Sequence, residues 1–253
     1  MSPKDTRLAG RRALVTGSTG GLGVAVAKSL AAEGAFVVVS GRDTTRGDAV
    51  VADIRSAGGD AAFVAADLGA GGAAARHLAD AATEAAGGID ILVNNAATLL
   101  MPTPTADVTE QELRDVFGVN VFTPFLLTGV LAPRMVAQGS GAIVNIGSIT
   151  GLRGSSGSAV YSANKAAIHS FTQSWADEYG PHGVRVNAVA PGPIGTERQA
   201  EFADHIAPTL SRLPSRRVST PEEVAAAVVF LASDDAANIH GTILSVDGGW
   251  AAT

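Results

Sequence analysis

The sequence predicts an α/β fold: a single-domain, doubly wound parallel sheet of about seven strands with helices on both faces. Three observations carry that expectation. Short β-branched runs alternate with Ala-rich stretches of helical length along the whole chain. Several of the runs are apolar throughout, as parallel strands covered on both faces require. A glycine-rich stretch sits where the first run gives way to the first helical segment. With 253 residues, 46% of them hydrophobic, the chain can fill a sizeable core. No repeat, linker or shift in composition divides it, so one domain over 1–253 is expected.

In chain order, the strands are expected at Ala13–Thr16, Phe36–Ser40, Ala61–Ala66, Ile89–Asn94, Ala142–Gly147, Val184–Ala190 and Thr242–Val246. The helices between them are expected at Leu22–Glu33, Arg46–Ala57, Gly72–Ala86, Glu110–Gln138, Ser158–Tyr179 and Pro221–Ser233. Pro124 and Pro133 fall inside the fourth, and each predicts a kink or a break, because proline lacks the N–H and crowds the preceding turn.

Composition narrows the function classes. The net charge of -6 argues against nucleic-acid binding, which needs a basic footprint. There is no cysteine, so disulfides, thiolate catalysis and thiolate metal sites are excluded. Five histidines, at 77, 169, 182, 205 and 240, lack metal-ligand spacing, and no metal is expected. The longest uninterrupted apolar run, Val224–Ala232, is too short to span a membrane. Met1–Gly10 reads as no export signal, so the cytoplasm is the expected compartment.

The first strand runs into Thr16-Gly17-Ser18-Thr19-Gly20-Gly21-Leu22-Gly23 and then at once into a helix. Glycines allow a tight turn and close approach to a pyrophosphate, and a helix N-terminus supplies free N–H groups. The tip of the second strand reads Ser40-Gly41-Arg42-Asp43, without the acid that would hold a ribose 2′-hydroxyl. Arg42 is either a planar partner for a 2′-phosphate or a solvated loop residue, and Asp43 reads as a helix N-cap. The cofactor expected is therefore NADP, with NAD possible. Asp67, at the end of the third strand, reads either as an adenine neighbour or as a cap for the next helix. Asn94 and Asn95 end the fourth strand, where paired amides either brace the sheet or line the crevice.

Tyr161 and Lys165 stand four positions apart near the start of a helical segment, so they share a face. A phenol titrates near pH ~10, and a fixed positive charge beside it favours the phenolate. Ser148 lies thirteen positions before Tyr161, just after the fifth strand, where its hydroxyl can aim at the same point. A hydroxyl donor, a tunable acid and a cation suit the polarisation of a carbonyl.

Taken in order, Thr16-Gly17-x-x-x-Gly21-x-Gly23, Asn94-Asn95-Ala96, Asn120, Ser148, Tyr161-x-x-x-Lys165 and Pro191-Gly192 resemble the short-chain dehydrogenase/reductase family in its simpler, single-domain Rossmann type. The resemblance runs from Arg12 to Trp250. It implies that Tyr161 is the general acid in reduction and the base in oxidation, and that Ser148 holds the substrate oxygen. Lys165 would lower the tyrosine pKa and hold the nicotinamide ribose, and Asn120 would anchor a water in a proton relay. Gly17, Ser18, Gly21, Leu22 and Gly23 would face the pyrophosphate. Asp67 and Leu68 would face the adenine, and Asn94 and Ala96 the ribose. Pro191, Gly192, Ile194 and Thr196 would lie along the nicotinamide, and Arg42 would take the 2′-phosphate, with Ser18 or Thr44 as further candidates. Ala97 departs from the family's usual glycine, and the glycine-rich loop lacks a basic residue.

The substrate pocket is expected from Thr98–Thr103, Ile149–Gly157 and a lid over about 195–217. Leu99, Leu100, Met101, Leu152, Phe202, Ile206 and Leu210 would give it an apolar lining. Arg153 is either a carboxylate clasp or an exposed surface arginine. A small-molecule ketone or secondary alcohol is preferred as substrate. The alternative is a 3-oxoacyl group on acyl carrier protein, but Asp177 and Glu178 would repel an acidic carrier. A second alternative is a non-catalytic nucleotide-sensing relative. The resemblance also implies a homotetramer built on the Glu110–Gln138 and Ser158–Tyr179 segments.

Overall fold

A computed structural model describes residues 6–154, 156–197, 210–211 and 213–252. Seven strands form one parallel sheet: β1 (Arg12–Val15), β2 (Phe36–Gly41), β3 (Asp60–Ala65), β4 (Ile91–Asn94), β5 (Gly141–Ile146), β6 (Val184–Pro191) and β7 (Ile243–Val246). Their spatial order is β3-β2-β1-β4-β5-β6-β7. This is the doubly wound, Rossmann-type arrangement that the alternating sequence predicts. The winding reverses between β1 and β4, and the loops leaving these neighbouring strands open a crevice at their carboxyl ends.

The helices, numbered here among the described residues, are α1 (Gly21–Ala32), α2 (Thr44–Ser56), α3 (Gly72–Ala86), α4 (Glu110–Phe117), α5 (Thr123–Gln138), α6 (Ala159–Tyr179) and α7 (Pro221–Ala232). They divide between the two faces of the sheet, each with its own core. Val15, Val37, Val93 and Val144 pack with Val26, Leu30 and Val228 on one side. Leu14, Val38, Leu92 and Ile143 pack with Leu78, Leu131 and Trp175 on the other. Consecutive strand residues thus enter opposite cores, which is why the runs lack polar alternation. Each such aliphatic side chain contributes about 1.5–3 kcal/mol on burial.

The segment expected as one helix over Glu110–Gln138 is two helices joined by a π-turn at Gly118–Phe122. Thr109 starts α4 with a reciprocal capping box to Glu112. Pro124 sits in the first turn of α5, where its missing N–H costs nothing, and Pro133 lies inside the helix. By length and composition this segment could cross a membrane, but half of its most apolar window is buried inside the fold, as in a core helix.

Strand and helix ends shift by a residue or two from the sequence expectation, for local reasons. Helix α2 starts at Thr44 because the Asp43 carboxylate accepts the Arg46 N–H at 3.0 Å. Strand β4 starts at Ile91 because Asp90 is drawn to Arg12. Its carboxylate receives the Arg12 backbone N–H at 2.9 Å and two guanidinium bonds at 2.7 Å.

Candidate active site

The glycine-rich loop follows β1 and leads into α1. Gly17 has φ +63°, a conformation that disfavours a side chain, and a Cβ there would come 2.8 Å from Ala96 Cα. A Cβ on Gly23 would collide with the Gly17 carbonyl and lie 2.6 Å from Asn95 Nδ2. These two glycines let the loop, α1 and the end of β4 close on one another. Thr16 and Asn95 seal that contact. The Thr16 hydroxyl accepts the N–H groups of Asn95 and Ala96 at 3.0 Å, and Asn95 Nδ2 donates to the Thr16 and Gly17 carbonyls at 2.8 and 3.1 Å.

Gly20 caps α1 without any side-chain hydrogen bond, and among the described residues beyond its chain neighbours none lies within 4 Å of where its Cβ would be. Among the described residues no side chain caps the helix N-terminus, so its first N–H groups suit an anionic ligand. Thr196 stands opposite, its methyl 3.7 Å from the Cβ position of Gly21.

Ser18 lies elsewhere than expected. It is fully buried, its hydroxyl donates to the Val15 carbonyl at 2.7 Å, and it accepts the Ser40 N–H at 2.9 Å. Its own N–H goes to the Ser40 carbonyl at 2.8 Å. Both of its donors are spent fastening the ends of β1 and β2, so Ser18 offers nothing to a phosphate. Leu22 is likewise turned into the core. Arg42, by contrast, is exposed at the tip of β2 and makes no ion pair among the described residues. Asp43 is engaged as the α2 cap, which leaves no free acid at that tip among the described residues. Asp67 accepts the Gly69 N–H at 3.0 Å, and Leu68 is buried beside it.

Asn94 is 5% exposed and donates to Asn145 Oδ1 at 2.9 Å. Asn145 in turn donates to the Thr172 hydroxyl at 2.9 Å, which donates to the Ile168 carbonyl at 2.8 Å. Asn94 Oδ1 is buried and has no hydrogen-bond partner among the described residues. An orphaned acceptor at the crevice floor fits a hydroxylated ligand, since such a group is costly to leave unpaired. That acceptor, the uncapped helix start and the exposed Arg42 together suit a dinucleotide.

Across the crevice, α6 carries Tyr161 and Lys165. Lys165 is buried, and its ammonium donates to the Ile146 carbonyl at 2.7 Å. Burial pushes its pKa down to about 8. The ammonium lies 5.7 Å from the centre of the Tyr161 ring, within cation–π range. Ser148 ends the loop after β5 and starts a short turn, Ile149–Gly151, that packs on α6. A Cβ on Gly151 would come 2.8 Å from the Lys165 backbone carbon and 2.8 Å from His169 Cε1. The serine, lysine and tyrosine are thus gathered by one helix and the turn lying on it.

Asn120 occupies the π-turn between α4 and α5, a deformation often found at functional sites. Its amide is fully used: Oδ1 accepts the Thr98 N–H at 2.7 Å, and Nδ2 donates to the Thr98 carbonyl at 2.9 Å and to Asn164 at 3.3 Å. The side chain therefore braces the Thr98 loop against α6. Asn164, Thr150 and His169 were not singled out from the sequence. His169 had a signal, its i+4 spacing from Lys165.

Tyr161 opens onto a cavity of about 90 Å³ walled by Leu100, Met101, Val108, Leu113 and Val160. Among the described residues, Thr103, Thr105 and Ser158 are the polar side chains in its lining besides the tyrosine. The Thr103 N–H donates to the Gly157 carbonyl at 2.7 Å and ties the two wall loops together. Arg153 is exposed and donates to the Trp250 carbonyl at 2.8 Å, so it anchors the C-terminal turn. Pro191 ends β6, Gly192 follows it, and Ile194 bridges to Ser219. Of the expected lid, 198–209 and 212 lie outside the described residues, including Phe202 and Ile206.

A family model described as enoyl-(acyl carrier protein) reductase matches residues 17–251. The chain belongs to the short-chain dehydrogenase/reductase family. It is 38% identical to 2,5-dichloro-2,5-cyclohexadiene-1,4-diol dehydrogenase of Sphingobium indicum, over 96% of this chain and 97% of that one. It is 40% identical to a 3-oxoacyl-[acyl-carrier-protein] reductase of Synechocystis, over 96% and 98% of the two chains. The structure of a putative NAD(P)-dependent gluconate 5-dehydrogenase from Beutenbergia cavernae, with bound NADP, superposes with a TM-score of 0.91. That protein is 37% identical, over 98% of this chain and 100% of the other. The short-chain dehydrogenase/reductase described here is an oxidoreductase acting between alcohols and carbonyls with NAD(P).

Proposed function

We propose that this enzyme reduces a small, largely apolar ketone, a cyclic one above all, to its secondary alcohol with NADPH. The observation that supports this reading is the wall of the Tyr161 cavity, where aliphatic side chains and three hydroxyls meet the tyrosine and, among the described residues, no charged side chain takes part. A dehydrogenase of a six-membered carbocyclic diol among its relatives supports a ring substrate. Arg42, exposed at the β2 tip with no acid free beside it, supports the phosphorylated cofactor.

Bound NADPH would supply the hydride. The start of α1 would hold its pyrophosphate, Asn94 Oδ1 and Lys165 its riboses, and Arg42 its 2′-phosphate. Gly192, Ile194 and Thr196 would lie along the nicotinamide. The chain's own work is at the carbonyl oxygen. Ser148 donates a hydrogen bond to it, and the Tyr161 hydroxyl delivers the proton. The buried Lys165 ammonium beside the ring favours the phenolate that remains. With its pKa near 8, Lys165 is charged at neutral pH. The proton returns to Tyr161 from solvent.

Reduction of carrier-bound 3-oxoacyl groups is the competing reading, supported by the Synechocystis relative. Against it, Asp177 and Glu178 would repel an acidic carrier, and Arg134 of α5 is already tied to Asp80 at 2.6 Å and to Thr83 at 2.9 Å. The test is NADPH and NADH oxidation with cyclohexanone, other free ketones and an acetoacetyl thioester on carrier protein. Turnover of free ketones with NADPH is expected, and preference for the carrier would overturn the substrate reading. Tyr161→Phe should lower kcat by at least about 100-fold while NADPH affinity stays within a few-fold. Undiminished turnover in that variant would mean that another group supplies the proton.

A further inference from the structure

We propose that Thr150 is a positioning residue that makes the Ser148 hydroxyl a committed donor toward the substrate oxygen. The inference rests on the reading above that Ser148 meets that oxygen, and it concerns what sets the direction of its proton. A serine hydroxyl has one O–H to give and two lone pairs to accept with. Free to rotate, it can point its proton away from the substrate as easily as toward it.

In this structure one accepting position is occupied by the Thr150 backbone N–H, at 3.2 Å, and the Thr150 hydroxyl oxygen stands 2.9 Å from Ser148 Oγ. With the Ser148 proton on the substrate oxygen, the Thr150 hydroxyl donates to the remaining lone pair. What remains to Ser148 is its own proton. Two donors on the oxygen also make that proton a better one to give, because hydrogen bonds in a chain polarise one another. Thr150 is half-buried, and Ser148 is the one hydrogen-bond partner of its hydroxyl among the described residues.

The backbone under this pair is held from the opposite side by His169. The Ser148 N–H faces His169 Nε2 at 3.5 Å. The imidazole fills the space that the two glycines flanking the turn leave. A Cβ on Gly147 would collide with Nε2, and one on Gly151 would lie 2.8 Å from Cε1. Accepting at Nε2 requires a neutral ring. Burial, and then the charge of Lys165, hold the His169 pKa down to about 4. The turn therefore rests on a fixed support, and Thr150 decides what the serine on it offers.

The test is a double-mutant cycle on cyclohexanone reduction with NADPH, using the parent, Thr150→Val, Ser148→Ala and the double variant. Valine keeps the shape and the backbone N–H and removes the hydroxyl alone. Losing a whole oxyanion donor costs about 100–1,000-fold in kcat, and a donor that is present but free to turn away should cost about 10-fold. Thr150→Val should thus lower kcat about 10-fold with the KM for NADPH unchanged, and Thr150→Ser should restore it to within about threefold. In the Ser148→Ala background the same valine should change kcat less than about twofold. Equal losses in both backgrounds would make Thr150 a structural residue and overturn the inference alone. If Ser148→Ala is itself silent, or the parent does not turn over, the functional reading falls and takes the inference with it.

Discussion

Lys165→Met should stabilise the cofactor-free protein, and the gain should vanish and then reverse in alkali. Lys165 is fully enclosed, and its pKa is moved from 10.5 to about 8. A shift of that size corresponds to about 3 kcal/mol of unfavourable burial while the side chain is charged in both states. Methionine has nearly the same length and no charge, so at pH 7 that cost disappears. The Ile146 carbonyl, which accepts the ammonium at 2.7 Å, is left unpaired at a cost of about 1–2 kcal/mol. The net expectation at pH 7 is a variant about 1–2 kcal/mol more stable and without ketone reduction.

The sign of the pH dependence follows from the lowered pKa. Below pH 8 both the folded and the unfolded parent hold the proton, and the burial cost is fully present. Between 8 and 10.5 the unfolded chain binds the proton and the folded one does not, so the parent gains stability as pH rises. The advantage of the variant should shrink through that window and become a deficit of about 1–2 kcal/mol at its top. Urea unfolding followed by tryptophan fluorescence, at one protein concentration from pH 6 to 10.5, measures it. A stability difference that stays constant across that range would refute the argument, as would a variant less stable at pH 7.

Two further outcomes are expected. Arg42→Ser should raise the KM for NADPH about 10–100-fold, the worth of a charged hydrogen bond of about 1.5–3 kcal/mol, and leave the KM for NADH unchanged; parallel changes for both cofactors would remove Arg42 from the phosphate. Light scattering should give the mass of a tetramer, as the family resemblance implies, with one interface over Phe125 of α5, which is 51% exposed and packs on the Phe171–Trp175 stack of α6; a monomer would count against burial of that face between copies.

The sheet was legible because its strands are short apolar runs that nothing but a two-sided cover explains. The glycine loop was legible because it falls between a strand and a helix. Side-chain direction was not. The residue pattern around Ser18 reads as a phosphate loop, yet that side chain turns inward, because β1 and β2 run out of ladder bonds at their ends and Ser18 supplies them. The π-turn at Asn120 was hidden as well, since one extra residue in a helical turn barely disturbs an apolar pattern twenty-nine residues long. Thr150 and His169 escaped notice because their partners are a hydroxyl and a backbone N–H, contacts that only the folded turn creates.

The amide chain from Asn94 through Asn145 to Thr172 has a bearing on how the sheet assembles. Strands β4 and β5 are apolar on both faces, with Val93 opposite Val144 and Leu92 opposite Ile143. A one-residue slip would exchange one aliphatic side chain for another on each face, so the polar–apolar contrast that fixes register in a half-exposed sheet is missing here and packing alone opposes the slip. The slip would separate Asn94 from Asn145, which now stand side by side in the ladder. Each buried amide group stranded in that way costs about 1–3 kcal/mol. Three polar side chains thus act as an alignment key for the centre of the sheet, penalising misassembled chains more than they stabilise the correct one.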